Sequence, residues 1–97
     1  MPRTRFDGDP EKNRLNQRKH GVAFAAAQYA FVDPRRIIAR DLDHSTEKEA
    51  RFYCFGNVGN GMMTVRSTHR HDCIRIIGAG YWRKGRKVYE QENHLRR

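Results

Sequence analysis

The stretch ARFYCFGNVGNGMMTVRSTHRHDCIRIIG, residues 50–78, decides the fold because it carries three apolar runs separated by turn residues. The runs ARFYCFGN (50–57), MMTVRST (62–68) and CIRIIG (73–78) are rich in aromatic and β-branched residues, which favour strands. Glycines and asparagines, or the polar segment HRHD, connect them. Such short connections predict an antiparallel meander, because parallel strands need long crossover connections.

The segment DPEKNRLNQRKHG (9–21) predicts a helix ahead of these strands. Asp9 is a suitable N-cap, Pro10 suits the first helical position, and Gly21 suits the residue just past the end. Leu15 is its only large aliphatic residue. We therefore expect this helix to lie on the surface and to bury one narrow stripe.

A second helix is predicted over VAFAAAQYAFVDP (22–34), with Phe24 and Phe31 as core anchors at helical spacing. The segment RRIIARD (35–41) then has an extended pattern and predicts a fourth strand. The tail RKGRKVYEQENHLRR (83–97) predicts a short helix after its glycine that frays toward the end of the chain.

The predicted order is helix, helix, four antiparallel strands and a short C-terminal helix. This is an α+β fold with helices against one face of the sheet, which leaves the other face free. The 97 residues are enough for one domain, 1–97, whose core we expect at about 6–90.

The charge balance indicates a polyanionic partner. Lys and Arg number 20 against 11 acidic residues, a formal charge of +9. Such a field attracts nucleic acid or an acidic protein; the alternative is a small basic protein that is merely soluble. Cys54 and Cys73 suggest free buried thiols rather than a disulfide framework. Without an apolar run long enough for a membrane span, we expect a cytoplasmic protein.

Two motifs carry weak chemical signals. The glycines of Gly78-Ala79-Gly80 do not complete a dinucleotide fingerprint, so a tight turn after the strand is the prediction. His69, His71 and Cys73 alternate and, with Cys54, suggest a tetrahedral metal site. Their spacing matches no standard zinc motif, so we predict neither a metal nor a cofactor, with Cys54 in the core.

Arginines in or beside the strands are more informative; they are Arg51, Arg66, Arg70 and Arg75. Arg75 lies between Ile74 and Ile76 and must project to the opposite face, because a guanidinium cannot be buried without a partner. Its fork suits a phosphate. The alternative is a structural pair with an acid such as Glu47, Glu49 or Asp72.

The segment after the last strand combines positive charge with aromatic surface. Its residues are Tyr81, Trp82, Arg83, Lys84, Arg86 and Lys87. Cations with stacking rings suit single-stranded RNA, so these residues, with Arg51 and Arg66, are the predicted RNA contacts. The alternative is a solvated basic tail.

The chain also resembles a known family. The segments FDGDPEKNRLNQRKHGVAF (6–24), DLDHSTEKEARFYCFG (41–56), STHRHDCIRIIGA (67–79) and RKVYE (86–90) are similar to the BrnT toxins of bacterial type II toxin–antitoxin modules. The resemblance implies a fold related to the RelE toxins and a metal-independent endoribonuclease that cleaves messenger RNA and inhibits translation. It also implies a BrnA-like antitoxin with a ribbon-helix-helix domain, a hetero-oligomer, and contact with operator DNA only through that antitoxin.

RNA cleavage of this kind needs cations over the phosphorane and groups that transfer protons. We predict Arg70 and Arg75 as the cations. His20 and Glu90 are the candidates for proton transfer. The alternative for His20 is a purely structural role, in which its side chain interacts favourably with the helix dipole at the C-terminal end of its helix.

The resemblance has departures at four glycines. Gly78, Gly80 and Gly85 stand where the family usually has serine, arginine and glutamate, and Gly8 stands near an expected aromatic residue. Three hypotheses therefore stay open: an active nuclease, a weakened or inactive homologue that binds its antitoxin and assists operon autoregulation, and a basic nucleic-acid-binding domain.

Overall fold

The computed structural model describes residues 4–59 and 61–95. In this part of the chain, three α-helices, one 3-10 helix and five strands follow one another. They are β1 (Arg5–Asp7), α1 (Pro10–His20), α2 (Phe24–Ala27), a 3-10 helix (Gln28–Val32), β2 (Ile37–Arg40), β3 (Arg51–Val58), β4 (Gly61–Arg70), β5 (Cys73–Gly80) and α3 (Arg83–Leu95).

The strands form one mixed sheet in the order β1-β5-β4-β3-β2. The predicted α+β class and the meander from β2 to β5 are confirmed. The prediction of four antiparallel strands is wrong, because β1 adds a fifth strand that pairs in parallel with β5. Three residues are too few to show a period of two, so β1 leaves no periodic signal in the sequence.

Helix α1 has the predicted ends. The Asp9 side chain accepts a hydrogen bond from the Glu11 N–H, Pro10 is the first helical residue, and Gly21 ends the helix with φ of 68°. The expected buried stripe is different, however. Leu15 is 46% exposed, whereas Asn16 is 7% exposed.

Asn16 attaches α1 to the sheet. Its side-chain amide donates to the carbonyls of Val22 (2.8 Å) and Ala79 (2.9 Å), and its carbonyl oxygen accepts from the Ala79 N–H (3.1 Å). Strand β1 pairs with β5 only as far as Arg75. Asn16 therefore bonds backbone groups of β5 beyond the point at which β1 ends.

The second predicted helix is shorter than expected. One α-helical turn, Phe24–Ala27, continues as the 3-10 helix Gln28–Val32. Phe24 is buried as predicted, and Phe31 is partly buried, with its ring 5.4 Å from that of Phe6. These elements cover one face of the sheet, where Cys54 lies in the core as predicted. Burial raises the pKa of its thiol to about 12.

Helix α3 packs on the opposite face of the sheet, against Phe55 and Thr64. These two residues are adjacent in their strands to the core residues Cys54 and Val65, and adjacent residues of a strand point to opposite faces. The predicted C-terminal helix is confirmed, but it begins at Arg83, before Gly85, and extends to Leu95, so its predicted start and shortness are wrong. Gly85 is buried inside its first turns, against Phe55 and Thr64. The predicted free face is therefore partly covered. Residues 96 and 97, in the tail predicted to fray, lie outside the described part.

The segment predicted to turn at Gly78-Ala79-Gly80 is the end of β5, so that prediction is wrong. Cross-strand pairing places Cys73 opposite Arg70 and His69 opposite Ile74. Paired residues of neighbouring strands point to the same face, so Cys73 shares the face of Arg70. His69 is adjacent to Arg70 and therefore points to the other face. Among the described residues, no group of three His, Cys, Asp or Glu side chains could hold a metal ion. No described helix has the length and apolarity to cross a membrane.

We expect Asn16→Ala to lower the free energy of unfolding by about 2–4 kcal/mol, because the buried Ala79 N–H and two carbonyls lose their partner. Urea unfolding followed by circular dichroism would measure this change. Gln17→Ala, on the exposed side of the same helix, is the matched control. Equal losses in both variants would contradict the role of Asn16.

Candidate RNA-binding cleft

A cleft of about 660 Å³ lies where α3 crosses β3 and β4. We call it the α3 cleft. The segment after β2 forms its other side. Its lining residues are Arg40, Asp41, Leu42, Asp43, His44, Tyr53, Phe55, Thr64, Arg66, Trp82, Lys84, Gly85 and Val88. Three cations and three aromatic rings therefore share one cavity.

The β3–β4 register forms the floor of the cleft. Tyr53 pairs with Arg66, and Phe55 pairs with Thr64, so these four side chains share the face that α3 partly covers. The rings of Tyr53 and Phe55 stack with centroids 5.7 Å apart. Thr64 is 4% exposed, and its hydroxyl has no hydrogen-bond partner in the described residues. The floor thus offers apolar surface and one guanidinium.

Trp82 joins the cleft to helix α1. Its indole lies over Gly80, so close that a Cβ atom on this glycine would be 2.5 Å from the ring. The His20 ring meets the indole edge-on, with centroids 5.0 Å apart. The predicted RNA contact Trp82 therefore lines the cleft, while His20 supports it from outside.

Asp41 and His44 form a pair on the β2 side of the cleft. Asp41 is 3% exposed, and its carboxylate lies 2.8 Å from the Nδ1 of His44. Burial by itself would raise the pKa of Asp41. The hydrogen bonds from the His44 ring and backbone N–H outweigh this effect and lower it. Burial and the nearby Asp41 carboxylate raise the pKa of Tyr53.

Comparison with known proteins identifies the family of the chain. The family model described as "Ribonuclease toxin, BrnT, of type II toxin-antitoxin system" matches residues 9–85. The chain belongs to the BrnT toxin family. The resemblance noted in the sequence is therefore confirmed, and membership implies ribonuclease toxicity and an antitoxin partner at the level of the family. No curated protein matches the chain.

Within this BrnT-family chain, the strand arginines surround Thr68. Its register neighbours are Arg51 on β3 and Arg75 on β5. Arg66 and Arg70 lie two residues before and after Thr68 on β4 and point to the same side. We call these four residues the arginine cross. Arg66 belongs to both the cross and the cleft, so the two surfaces are continuous.

Three of the arginines have carboxylate partners. Arg75 lies 3.1 Å from Asp7, rather than from any of the acids considered in the sequence. Glu49 accepts from Arg51 at 2.9 Å and from Arg70 at 3.2 Å, and these bonds lower its pKa. As predicted, Arg75 points away from the face that buries Ile76. The pairs are partly exposed, with 61% of the Arg70 side chain accessible.

The four predicted catalytic residues are not brought together. Arg70 and Arg75 lie at the end of the sheet near the β4–β5 turn. His20 is on α1 and contacts Trp82, which follows the other end of β5. Glu90 is on α3, paired with Arg86 at 2.8 Å. Their catalytic roles stay predictions.

The predicted RNA contacts also divide into groups. Arg66, Trp82 and Lys84 line the cleft. Arg83 and Lys87 are exposed on α3, and Tyr81 is 52% exposed above Gly61. Sequence reasoning missed Arg40, Asp41 and Tyr53 and assigned no role to His44. The spacing of Asp41 and His44 in DLDHS was the available signal.

At three of the four departures, neighbouring side chains fill the space above the glycine. The ring of Phe24 lies over Gly8, the indole of Trp82 over Gly80, and Thr64 against Gly85. At Gly78, the nearest atom to an added Cβ is 3.7 Å away, on Asn16. The glycines at 8, 80 and 85 therefore belong to the packing of this chain.

We expect Gly85→Ala and Gly78→Ala to have opposite effects on stability. At residue 85 the new methyl group collides with Thr64, and overpacking of this kind costs about 1–3 kcal/mol. At residue 78 there is room, and alanine restricts the unfolded chain, which favours folding by up to about 1 kcal/mol. Thermal and urea unfolding of both variants test this. A stabilised Gly85→Ala protein would show that α3 does not pack as described.

Proposed function

We propose that the chain is the toxin of a type II module, a metal-independent endoribonuclease that cleaves messenger RNA along the α3 cleft and the arginine cross. The observation that carries this proposal is the continuity of the two surfaces through Arg66 in a chain of this family. Aromatic rings beside cations suit unpaired bases and the phosphates between them.

The cleft supplies the contacts for binding. Arg40, Arg66 and Lys84 place positive charge at three sides of the cavity, while Tyr53 and Trp82 offer faces or edges for bases. A ligand with both anionic groups and flat rings meets each of these features.

The arginine cross supplies charge for the transition state. Arg70 and Arg75 keep the role predicted for them if phosphate oxygens replace Glu49 and Asp7. This exchange is inexpensive, because partly exposed ion pairs contribute little to stability. A phosphodiester also accepts the bidentate fork of an arginine. Negative charge developing on the phosphorane would strengthen these contacts.

The proposed partner is a BrnA-like antitoxin with a ribbon-helix-helix domain, which forms a hetero-oligomer with the toxin and makes the contacts with operator DNA. The net charge of +9 supports an acidic partner segment that competes with RNA. A cytoplasmic location and a relation to the RelE fold belong to the same proposal.

An impaired toxin is the second candidate function, and the filled glycine sites favour it. Trp82 and Thr64 occupy the space over Gly80 and Gly85, where the family resemblance places arginine and glutamate. In that case the chain binds antitoxin without cleaving RNA. Expression without the antitoxin distinguishes the two candidates, since growth arrest indicates a nuclease and normal growth an impaired homologue.

We expect the purified protein to cleave single-stranded RNA in EDTA. Arg66→Ala and Arg75→Ala should each reduce the rate about 100-fold or more, because a cation near the developing charge is lost. Gel analysis of labelled RNA measures the rates. The control is Arg18→Ala, which removes the same charge at an exposed position on α1. Similar losses in all three variants would mean that only net charge matters.

A further inference from the structure

Residues 41–45 form a loop at the edge of the α3 cleft, and β3 holds the loop. The Asp41 N–H donates to the Arg51 carbonyl at 2.8 Å. The Ser45 hydroxyl donates to the Asp41 carbonyl at 2.6 Å and accepts from the Arg51 N–H at 2.9 Å. His44 is therefore carried on a loop whose two ends are fixed to the sheet.

Both oxygens of the Asp41 carboxylate contact His44. One oxygen accepts the His44 backbone N–H at 3.2 Å, and the other contacts Nδ1 at 2.8 Å. The Asp41 side chain is 4% exposed, whereas the His44 side chain is 50% exposed. The pair thus has a buried, fixed end and an accessible end.

The exposed end of the pair is the His44 ring, which lies at the cleft. His44 lines the cleft, and its Nε2 has no hydrogen-bond partner in residues 4–59 and 61–95. A carboxylate at Nδ1 holds the proton on that nitrogen and leaves the Nε2 lone pair free. A base held by an orienting carboxylate is the arrangement expected of a proton-transfer site.

We propose that His44 is the general base of the α3 cleft and that Asp41 is its positioning residue, an inference that rests on the RNA cleavage proposed above. Nε2 takes the proton of the ribose 2′-hydroxyl while the 2′-oxygen bonds to the adjacent phosphorus. The bond from phosphorus to the 5′-oxygen breaks, and this oxygen takes a proton from water. The imidazolium then returns its proton to the resulting hydroxide.

The position of His44 fits this step better than those of the residues predicted from sequence. Arg66 lines the same cleft and belongs to the arginine cross, so it can hold the scissile phosphate between His44 and the other strand arginines. His20 contacts Trp82 from outside the cleft, and Glu90 is paired with Arg86. The Asp41 carboxylate also stabilises the imidazolium that forms during the reaction.

The test compares His44→Ala with the wild-type protein on a single-stranded RNA oligonucleotide in EDTA. We expect the rate to fall about 100-fold or more, and imidazole in the buffer to restore part of it. Unchanged binding of a 2′-O-methyl RNA shows that the variant is folded. His94→Ala, an exposed histidine on α3, is the matched control and should keep its activity.

A second substrate separates a base from an acid. RNA with sulfur in place of the 5′-oxygen has a leaving group that needs no protonation, so His44→Ala should stay slow on it. Recovery of the rate on this substrate would overturn the assignment as base. Asp41→Asn should lower kcat with little change in the affinity for 2′-O-methyl RNA, because the carboxylate acts by orienting His44 rather than by contacting the RNA.

The outcomes distinguish this inference from the proposed function. If wild-type protein cleaves RNA and His44→Ala cleaves equally fast, the inference fails and the proposed function stands. If His20→Ala rather than His44→Ala is rescued by imidazole, the base is His20. If the wild-type protein leaves RNA intact at high concentration, both the proposed function and the role of His44 are overturned.

Discussion

The hydrogen bonds between Asn16 and Ala79 are the interaction on which the arrangement of this fold depends. They join α1 to the end of β5, 63 residues away in sequence, at a place where β1 no longer pairs. An amide offers a donor and an acceptor together, so it can satisfy both backbone groups of one strand residue. With α1 fixed there, the His20 ring contacts Trp82, and α2 follows over the core face.

The opposite face depends on close approach rather than on polar bonds. Gly85 lets α3 lie directly on Thr64 and Phe55, and Tyr89 donates a 2.6 Å hydrogen bond to Asp33 further along the helix. Because α3 covers only part of β3 and β4, it creates the cleft at its own edge. Gly85, at a position where the resemblance implied a glutamate, therefore allows the close packing of α3 on the sheet.

On the face of the sheet that α3 partly covers, carboxylates neutralise some of the cations and leave others without a partner. Glu49 and Asp7 pair with arginines near the β4–β5 turn, whereas Arg40, Arg66 and Lys84 have no carboxylate within ion-pair distance in the described residues. The carboxylate partners hold the paired arginines in a fixed orientation. The cations of the cleft attract anionic ligands. Two carboxylates, Asp41 and Asp43, also line the cleft, and that of Asp41 contacts the His44 ring.

Local signals in the sequence determined the ends of α1, the meander and the outward direction of Arg75, because capping, turn residues and alternation act over a few residues. The family resemblance was also readable there. Only the tertiary structure decided the parallel strand β1, the pairing of Arg75 with Asp7 and the grouping of Arg66 with Trp82 and His44. Those contacts join segments far apart in the chain, and side chains meet there only after the sheet and α3 have packed.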